Sequence, residues 1–279
     1  MYTRPTAPRS IGGVLDDAIR LYRAAFSRCW VLALGGGVLS AIVGVWQARQ
    51  MATLPLAGLS ARNPAGMAAL GSAMARLGRV EHSPMLWLNY FILMLVWLVF
   101  RAAIIRRQDA VASGRTDSLG EALGYVVRRL PELAIAGLVF VLAISVGFML
   151  FLAPGVWLWG SLQLWLVAAA SEDLGPFAAL GRSWRLIDRH WWRTSATVAV
   201  AWIIVLVLGL AGGLFTGIAA ALAHGDLVTV LIVTQLLGAV ISVFTMPMLT
   251  AAMVAIFHDL KLRRDGGDLA ERVDALQPA

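Results

Sequence analysis

The chain has 279 residues, of which 59% are hydrophobic and only 14% charged, with 23 Lys and Arg against 16 Asp and Glu. The apolar residues fall in unbroken blocks: 30–48, 83–100, 133–171, 194–225 and 227–257 contain no Asp, Glu, Lys or Arg. About 20 apolar residues cross a bilayer, so a soluble globular domain is excluded and a polytopic all-α membrane protein, a single integral membrane domain over 1–279, is expected.

Residues 1–28 are too long and too polar for a secretory leader, and no small-residue cleavage site follows, so the first span is read as retained. Leu15, Ala18, Ile19, Tyr22, Phe26 and Cys29 share one helical face, while Asp16, Arg20, Arg23 and Ser27 take the other. That pattern predicts an amphipathic helix in the interface, with Asp16–Asp17 complementing the positive end of its dipole. Cys29, the single cysteine, excludes an intrachain disulfide. The first span, about 30–48, carries a small-residue seam of Gly36, Ser40 and Gly44.

A loop over about 49–84 follows, in which Asn63–Pro64 opens a short helix bearing Met67, Leu70, Met74 and Leu77. Its four arginines either touch lipid phosphates or are simply solvated. After the second span, 85–105, Ser118 and Glu121 have capping-box spacing, and Leu119, Ala122, Leu123, Val126 and Leu130 form an apolar face. The stretch ends on Arg128 and Arg129. The charge-free run that follows is too long for one helix, and "APG" at Ala153–Gly155 predicts a reversal between spans 132–152 and 156–171.

The next connection reads "GPFAALGRSWRLIDRHWW" (175–192), with Glu172–Asp173 just upstream at the positive end of a helix dipole. Phe177, Leu180, Trp184, Ile187 and Trp191 make an apolar stripe, with Arg182, Arg185, Arg189 and Arg193 roughly opposite. A third interfacial helix is predicted, with Trp191 and Trp192 as aromatic anchors. Spans 195–222 and 228–257 exceed the hydrocarbon thickness, so they tilt, kink near Gly212–Gly213 or Pro247, or continue past the bilayer. Gly209, Gly213 and Gly217 form a second seam, building the monomer or a homo-oligomer, with intramolecular packing the simpler expectation.

Cations set the orientation. With the N-terminus inside, all the Lys and Arg residues lie in or beside cytoplasmic segments except Arg49, Arg62, Arg76 and Arg79 of the 49–84 loop; the "AHGD" turn at 223–226 carries none. Both termini and the tail 259–279 are therefore expected in the cytoplasm. Each amphipathic helix precedes two spans, suggesting repeat-like units at 11–105, 118–171 and 175–258, with local likenesses such as "GEALGYVVRRL" and "FAALGRSWRLI".

"LDDAIRLYRAAF", "SEDLGPFAALGRSWRLIDRHWW" and the exit "FHDLKLRRDGGDL" resemble a poorly characterised family of bacterial inner-membrane proteins, similar to the membrane portion of glycerophosphoryl diester phosphodiesterases. The family usually has Tyr where His258 stands before the exit Asp. The resemblance implies a six-span helical module in the bacterial inner membrane. The catalytic domain is absent from this sequence, so the enzyme name does not carry over.

Catalysis is not expected. His82, His190, His224 and His258 are scattered, without a metalloprotease, nucleophile-elbow or phosphate-loop pattern. Ion-coupled carriers commonly place a charged residue at mid-membrane depth, and the spans show only polar groups such as Asn89, Gln163, Thr234, Gln235, Ser242 and Thr245. The expected function is a non-enzymatic scaffold or accessory protein that engages anionic lipid through Arg20, Arg23, Arg128, Arg129, Arg182, Arg185, Arg189 and Arg193, with Trp184, Trp191 and Trp192. A protein partner or a second copy is a further expectation. The alternative is a transporter of lipid-like molecules. No cofactor, metal or nucleic-acid partner is expected.

Overall fold

A computed structural model describes residues 2–52, 84–222 and 227–276. The loop helix expected near 63–77 and the 223–226 turn lie outside these residues. Helices account for about 89% of the described residues, with no strand among them. They are α1 (Ile11–Ala52), α2 (Pro84–Ala112), α3 (Leu119–Arg128), α4 (Leu130–Leu150), α5 (Leu152–Leu162), α6 (Trp165–Ser171), α7 (Pro176–Ile187), α8 (Trp191–Leu222) and α9 (Leu227–Leu276). A 3-10 turn, Asp188–His190, joins α7 to α8.

Six segments are long and apolar enough to cross a membrane: Ile11–Trp46, Trp87–Ala112, Leu130–Leu150, Leu152–Ser171, Pro176–Phe215 and Ile232–Arg264. They lie where the apolar blocks place them, and several run longer. No helix breaker separates Cys29 from Trp30, so the first amphipathic segment is continuous with its span in α1 and is not a separate helix. The α2 helix likewise carries its charged end, and α9 continues past the apolar block to Leu276 with Pro247 inside it.

The reversal between the third and fourth spans falls at Phe151, two residues before "APG". Pro154 occupies the first turn of α5, where its missing N–H costs no helical hydrogen bond. Gly155 lets α5 approach α4, since a Cβ there would collide with the Phe148 ring. The capping box is present as expected: Ser118 Oγ accepts from the Glu121 N–H at 3.1 Å, and the Ser118 N–H donates to Glu121 at 2.7 Å. Ala122 and Val126 then turn inward.

The contacts divide the chain into two compact units. One comprises Met1–Ala33, Leu98–Leu208 and Val243–Ala279; the other comprises Leu34–Trp97 and Gly209–Ser242. The first has a core built from Leu21 and Leu32 of α1, Ile105 of α2, Leu164 at the α5–α6 break, Ile187 of α7 and Phe257 of α9. In the second, α1 and α9 meet at small residues: a Cβ on Gly37 would collide with Ala239 and Ser242, and one on Gly44 with Gln235.

Candidate functional site

The first unit gathers the charges that matter, and carboxylates organise them: buried Asp109 and Asp259, half-buried Glu172 and exposed Asp173. Asp259, one residue after the core Phe257–His258 pair on α9, accepts from Arg193 of α8 and Arg263 of α9, both at 2.8 Å. It also accepts the backbone N–H of Arg9 at 2.7 Å, while Arg193 and Arg263 both donate onward to the Arg9 carbonyl. The N-terminal segment is thereby tied to two helices.

On the previous residue, His258 Nε2 lies 2.9 Å from Asp109 of α2, and both side chains are buried. Arg115 closes on Asp109 from the following loop at 2.8 Å. Gln108 donates to the Pro247 carbonyl at 2.6 Å, so α2 grips α9 at two successive residues. Lys261 of α9 reaches Glu172 at 2.7 Å, where Arg182 of α7 binds in a fork at 2.9 and 3.1 Å. Burial alone would raise the Glu172 carboxyl, but the hydrogen bonds from Arg182 and Lys261 outweigh it and hold the group below the usual glutamate range.

Asp173 ends α6 in the left-handed region at φ +54°, a conformation Asp tolerates better than most residues. It accepts from Tyr125 and Arg106, and Arg129 lies 3.7 Å away. The Arg106 guanidinium sits 3.5 Å from the Tyr125 ring centre. Burial, then the bond to Asp173, pushes the Tyr125 phenol above its ordinary value. Arg129 adds Glu132 at 2.6 Å and the Leu174 carbonyl at 2.7 Å.

One expectation needs correction here. The acidic pairs do not serve helix dipoles: neither α1 nor α7 has an acid in its first turn. Asp16 pairs with Arg20 at 2.6 Å on an exposed surface, whereas Asp17 is buried and faces Arg9 at 3.7 Å. Glu172 and Asp173 cap the end of α6 and bind cations from α2, α4's approach, α7 and α9. Just past the apolar blocks 83–100 and 227–257, on the helices that continue them, Arg107, Asp109, His258 and Asp259 are buried.

The α7 face is also rotated from the expected stripe. Its buried residues are Ala179, Leu180, Ser183, Leu186 and Ile187, and Phe177 is exposed. Ser183 Oγ donates to the Ser161 carbonyl at 3.0 Å and accepts the Leu164 N–H at 3.1 Å. That bridge satisfies backbone groups at the α5–α6 break and seats α7 directly on it. Trp184 meets Trp157 edge to face at 4.6 Å, and Trp191 donates to the Trp157 carbonyl at 3.2 Å. Trp192 is exposed.

The sequence-derived cations therefore sort into two sets. Arg20, Arg129, Arg182 and Arg193 are paired with carboxylates. Arg23, Arg128, Arg185 and Arg189 are exposed and carry no ion pair among the described residues. The seams sort similarly. Gly36 and Gly44 are buried and Ser40 is half-buried, with Gly37 and Ala41 sharing the contact face. A Cβ on Gly209, Gly213 or Gly217 meets nothing within 4 Å, so among the described residues this second seam packs against no other helix; neighbouring Gly212 is the residue pressed against Ile241.

Asp109, His258, Asp259, Glu172 and Tyr125 were not singled out as site residues from sequence. The available signal was "SED" and "HDLK", in which polar residues interrupt otherwise apolar helix ends. Among the described residues no three His, Cys, Asp or Glu side chains converge on a metal position.

Six helices long and apolar enough to cross a membrane, with no strand among the described residues, are consistent with a multi-pass membrane protein. The chain belongs to the family described as a domain of unknown function, DUF7847, matched over residues 74–260. That match ends just after the Asp259 node. No curated protein and no solved structure matches the chain.

Proposed function

We propose that this protein is a non-enzymatic scaffold or accessory subunit of a bacterial inner membrane, with both termini in the cytoplasm, that engages anionic lipid and a protein partner or second copy. The observation that carries this reading is the division of the arginines. Arg129, Arg182 and Arg193 tie neighbouring segments together, while Arg23, Arg128, Arg185 and Arg189 remain open on the same charged segments. Near an anionic surface each open cation contributes about 1 kcal/mol before screening. The cation asymmetry supports the orientation. A relation to the membrane portion of glycerophosphoryl diester phosphodiesterases fits the "SED" and "HDLK" motifs and would make the chain the membrane half of that architecture.

The test is purification in mild detergent followed by lipid mass spectrometry. The triple variant Arg23→Gln, Arg128→Gln, Arg185→Gln is expected to fold and to lose phosphatidylglycerol and cardiolipin relative to the unaltered chain. An unchanged anionic lipid complement would sink the lipid-engaging reading.

A further inference from the structure

A groove of about 960 Å3 opens in the first unit between the α4–α5 reversal and the α7–α8 turn. One wall is Phe151, Leu152, Val156 and Trp157; the other carries Asp188, Arg189 and His190 of the 3-10 turn and the first residues of α8. Its volume falls in the usual range for small-molecule sites, roughly 300–1,000 Å3.

The apolar wall is built for lipid. The segment Met149–Leu152 contains no polar side chain, and Phe151 and Leu152 are 74% and 70% exposed. A reversal of this kind facing water would expose a large apolar patch. Its backbone is largely self-satisfied, as hydrocarbon requires: the Phe151 N–H donates to the Gly147 carbonyl at 3.0 Å, the Gly155 N–H donates to the Phe151 carbonyl at 3.3 Å, and Pro154 has no N–H. The floor is preset by the Trp191–Trp157 hydrogen bond and by Trp191 standing edge-on to Trp192 at 4.7 Å.

The charged rim selects a headgroup. Arg193 also lines the groove, but its charge is taken by Asp259 at 2.8 Å. Asp188 and Arg189 are exposed neighbours, and among the described residues neither is in an ion pair. The uncommitted rim thus presents one carboxylate and one guanidinium, with the half-buried imidazole of His190 next to them, and its formal charges cancel when that imidazole is neutral. A purely anionic headgroup would set its phosphate against Asp188. A headgroup with both a phosphate and a primary ammonium complements both groups through charge-assisted hydrogen bonds.

We propose that this groove holds one zwitterionic aminophospholipid, its phosphate on Arg189, its ammonium on Asp188 and its acyl chains along Phe151, Leu152 and Val156. The site goes beyond the proposed function and shares only Arg189 with it; because Phe151 and Leu152 line the same groove as Asp188 and Arg189, it sets the α4–α5 reversal on the same side of the bilayer as the α7–α8 turn. The open arginines that define the anionic-lipid experiment, Arg23, Arg128 and Arg185, do not line the groove.

The test is native mass spectrometry of the full chain, stripped of lipid in detergent and titrated separately with phosphatidylethanolamine, phosphatidylcholine and phosphatidylglycerol. One phosphatidylethanolamine per chain is expected to bind in preference to phosphatidylcholine, whose methylated ammonium has no N–H to give Asp188. Asp188→Asn and Arg189→Gln should each weaken it about tenfold, the loss of one charge-assisted contact. Asp188→Glu should retain binding, and Ala153→Trp should remove it by filling the wall without changing charge. Equal retention of phosphatidylethanolamine and phosphatidylcholine by the unaltered chain would overturn the proposal, leaving only unselective annular lipid. So would binding indifferent to both rim substitutions.

Discussion

Arg182 and Arg185 stand three residues apart on α7 and meet opposite fates. Arg182 forks onto Glu172, with both side chains about one-sixth exposed, whereas Arg185 faces outward without an ion pair among the described residues. Arg129 and Arg128 repeat the contrast one residue apart at the end of α3. The difference lies not in residue type but in helical phase: an acid within reach, half-buried Glu172 for Arg182 and the more exposed Glu132 and Asp173 for Arg129, captures whichever cation shares its side. Charge on this protein is therefore of two kinds, one holding helices in place and one left for the surroundings.

The largest effect should come from removing the acid that binds most. Asp259→Ala leaves Arg193 and Arg263 directed at the Arg9 carbonyl with no counter-charge. Breaking a buried pair in this way costs about 3 kcal/mol or more. Thermal unfolding in detergent should show a clear drop. Asp16→Ala, which removes only the exposed pair with Arg20, should change stability by about 0.5 kcal/mol or less. Equal losses would erase the distinction between the two kinds of charge.

The glycines divide in the same way. Gly37→Ala puts a methyl group against the Ala239 backbone, which cannot swing aside, so α1 and α9 must separate. Overpacking of this sort costs about 1–3 kcal/mol. Gly213→Ala meets open space and should leave the melting temperature unchanged or slightly raised. If instead Gly213→Ala disrupts a second copy of the chain, size-exclusion chromatography would show the change in mass while the fold survives.

How much of this was legible in the sequence depends on what each signal measures. The six spans followed from uninterrupted apolar length, and the α3 capping box from Ser118 and Glu121 alone, because both are local. The buried face of α7 was misread because the hydrophobic stripe weights large residues. The helix instead turns inward on small Ala179 and Ser183, whose size permits close approach to the α5–α6 break. The acid nodes were missed because their partners lie far along the chain: Asp109 meets His258 and Glu172 meets Lys261, encounters that no helical period encodes. The seam of Gly209, Gly213 and Gly217 shows the converse, since small-residue spacing permits a close contact without choosing the partner.

Acid should weaken the Glu172 node. The Glu172 carboxyl is held below its ordinary value in the folded protein, so its contribution is complete above the unfolded glutamate value of about 4.3 and is lost as pH falls through the folded value. Stability of the unaltered chain should decline over that acidic window, and Glu172→Gln should show a shallower decline there. An identical pH profile in the variant would mean that Arg182 and Lys261 stabilise nothing through this carboxylate.

The smallest change in stability belongs to the open set. Arg185→Gln removes no ion pair among the described residues, so the melting temperature should move by an amount equivalent to about 0.5 kcal/mol or less. Arg182→Gln, by contrast, leaves Glu172 with Lys261 alone and should cost more. What Arg185→Gln should alter is competition between phosphatidylglycerol and phosphatidylcholine, read by native mass spectrometry at low and high salt. An exposed cation acts through a screened field, so the variant should lose phosphatidylglycerol preference at low ionic strength and converge on the unaltered chain as the Debye length shrinks to about 3 Å near 1 M. A deficit that persists at high salt would mean that Arg185 makes a specific, desolvated contact and belongs with the paired arginines after all.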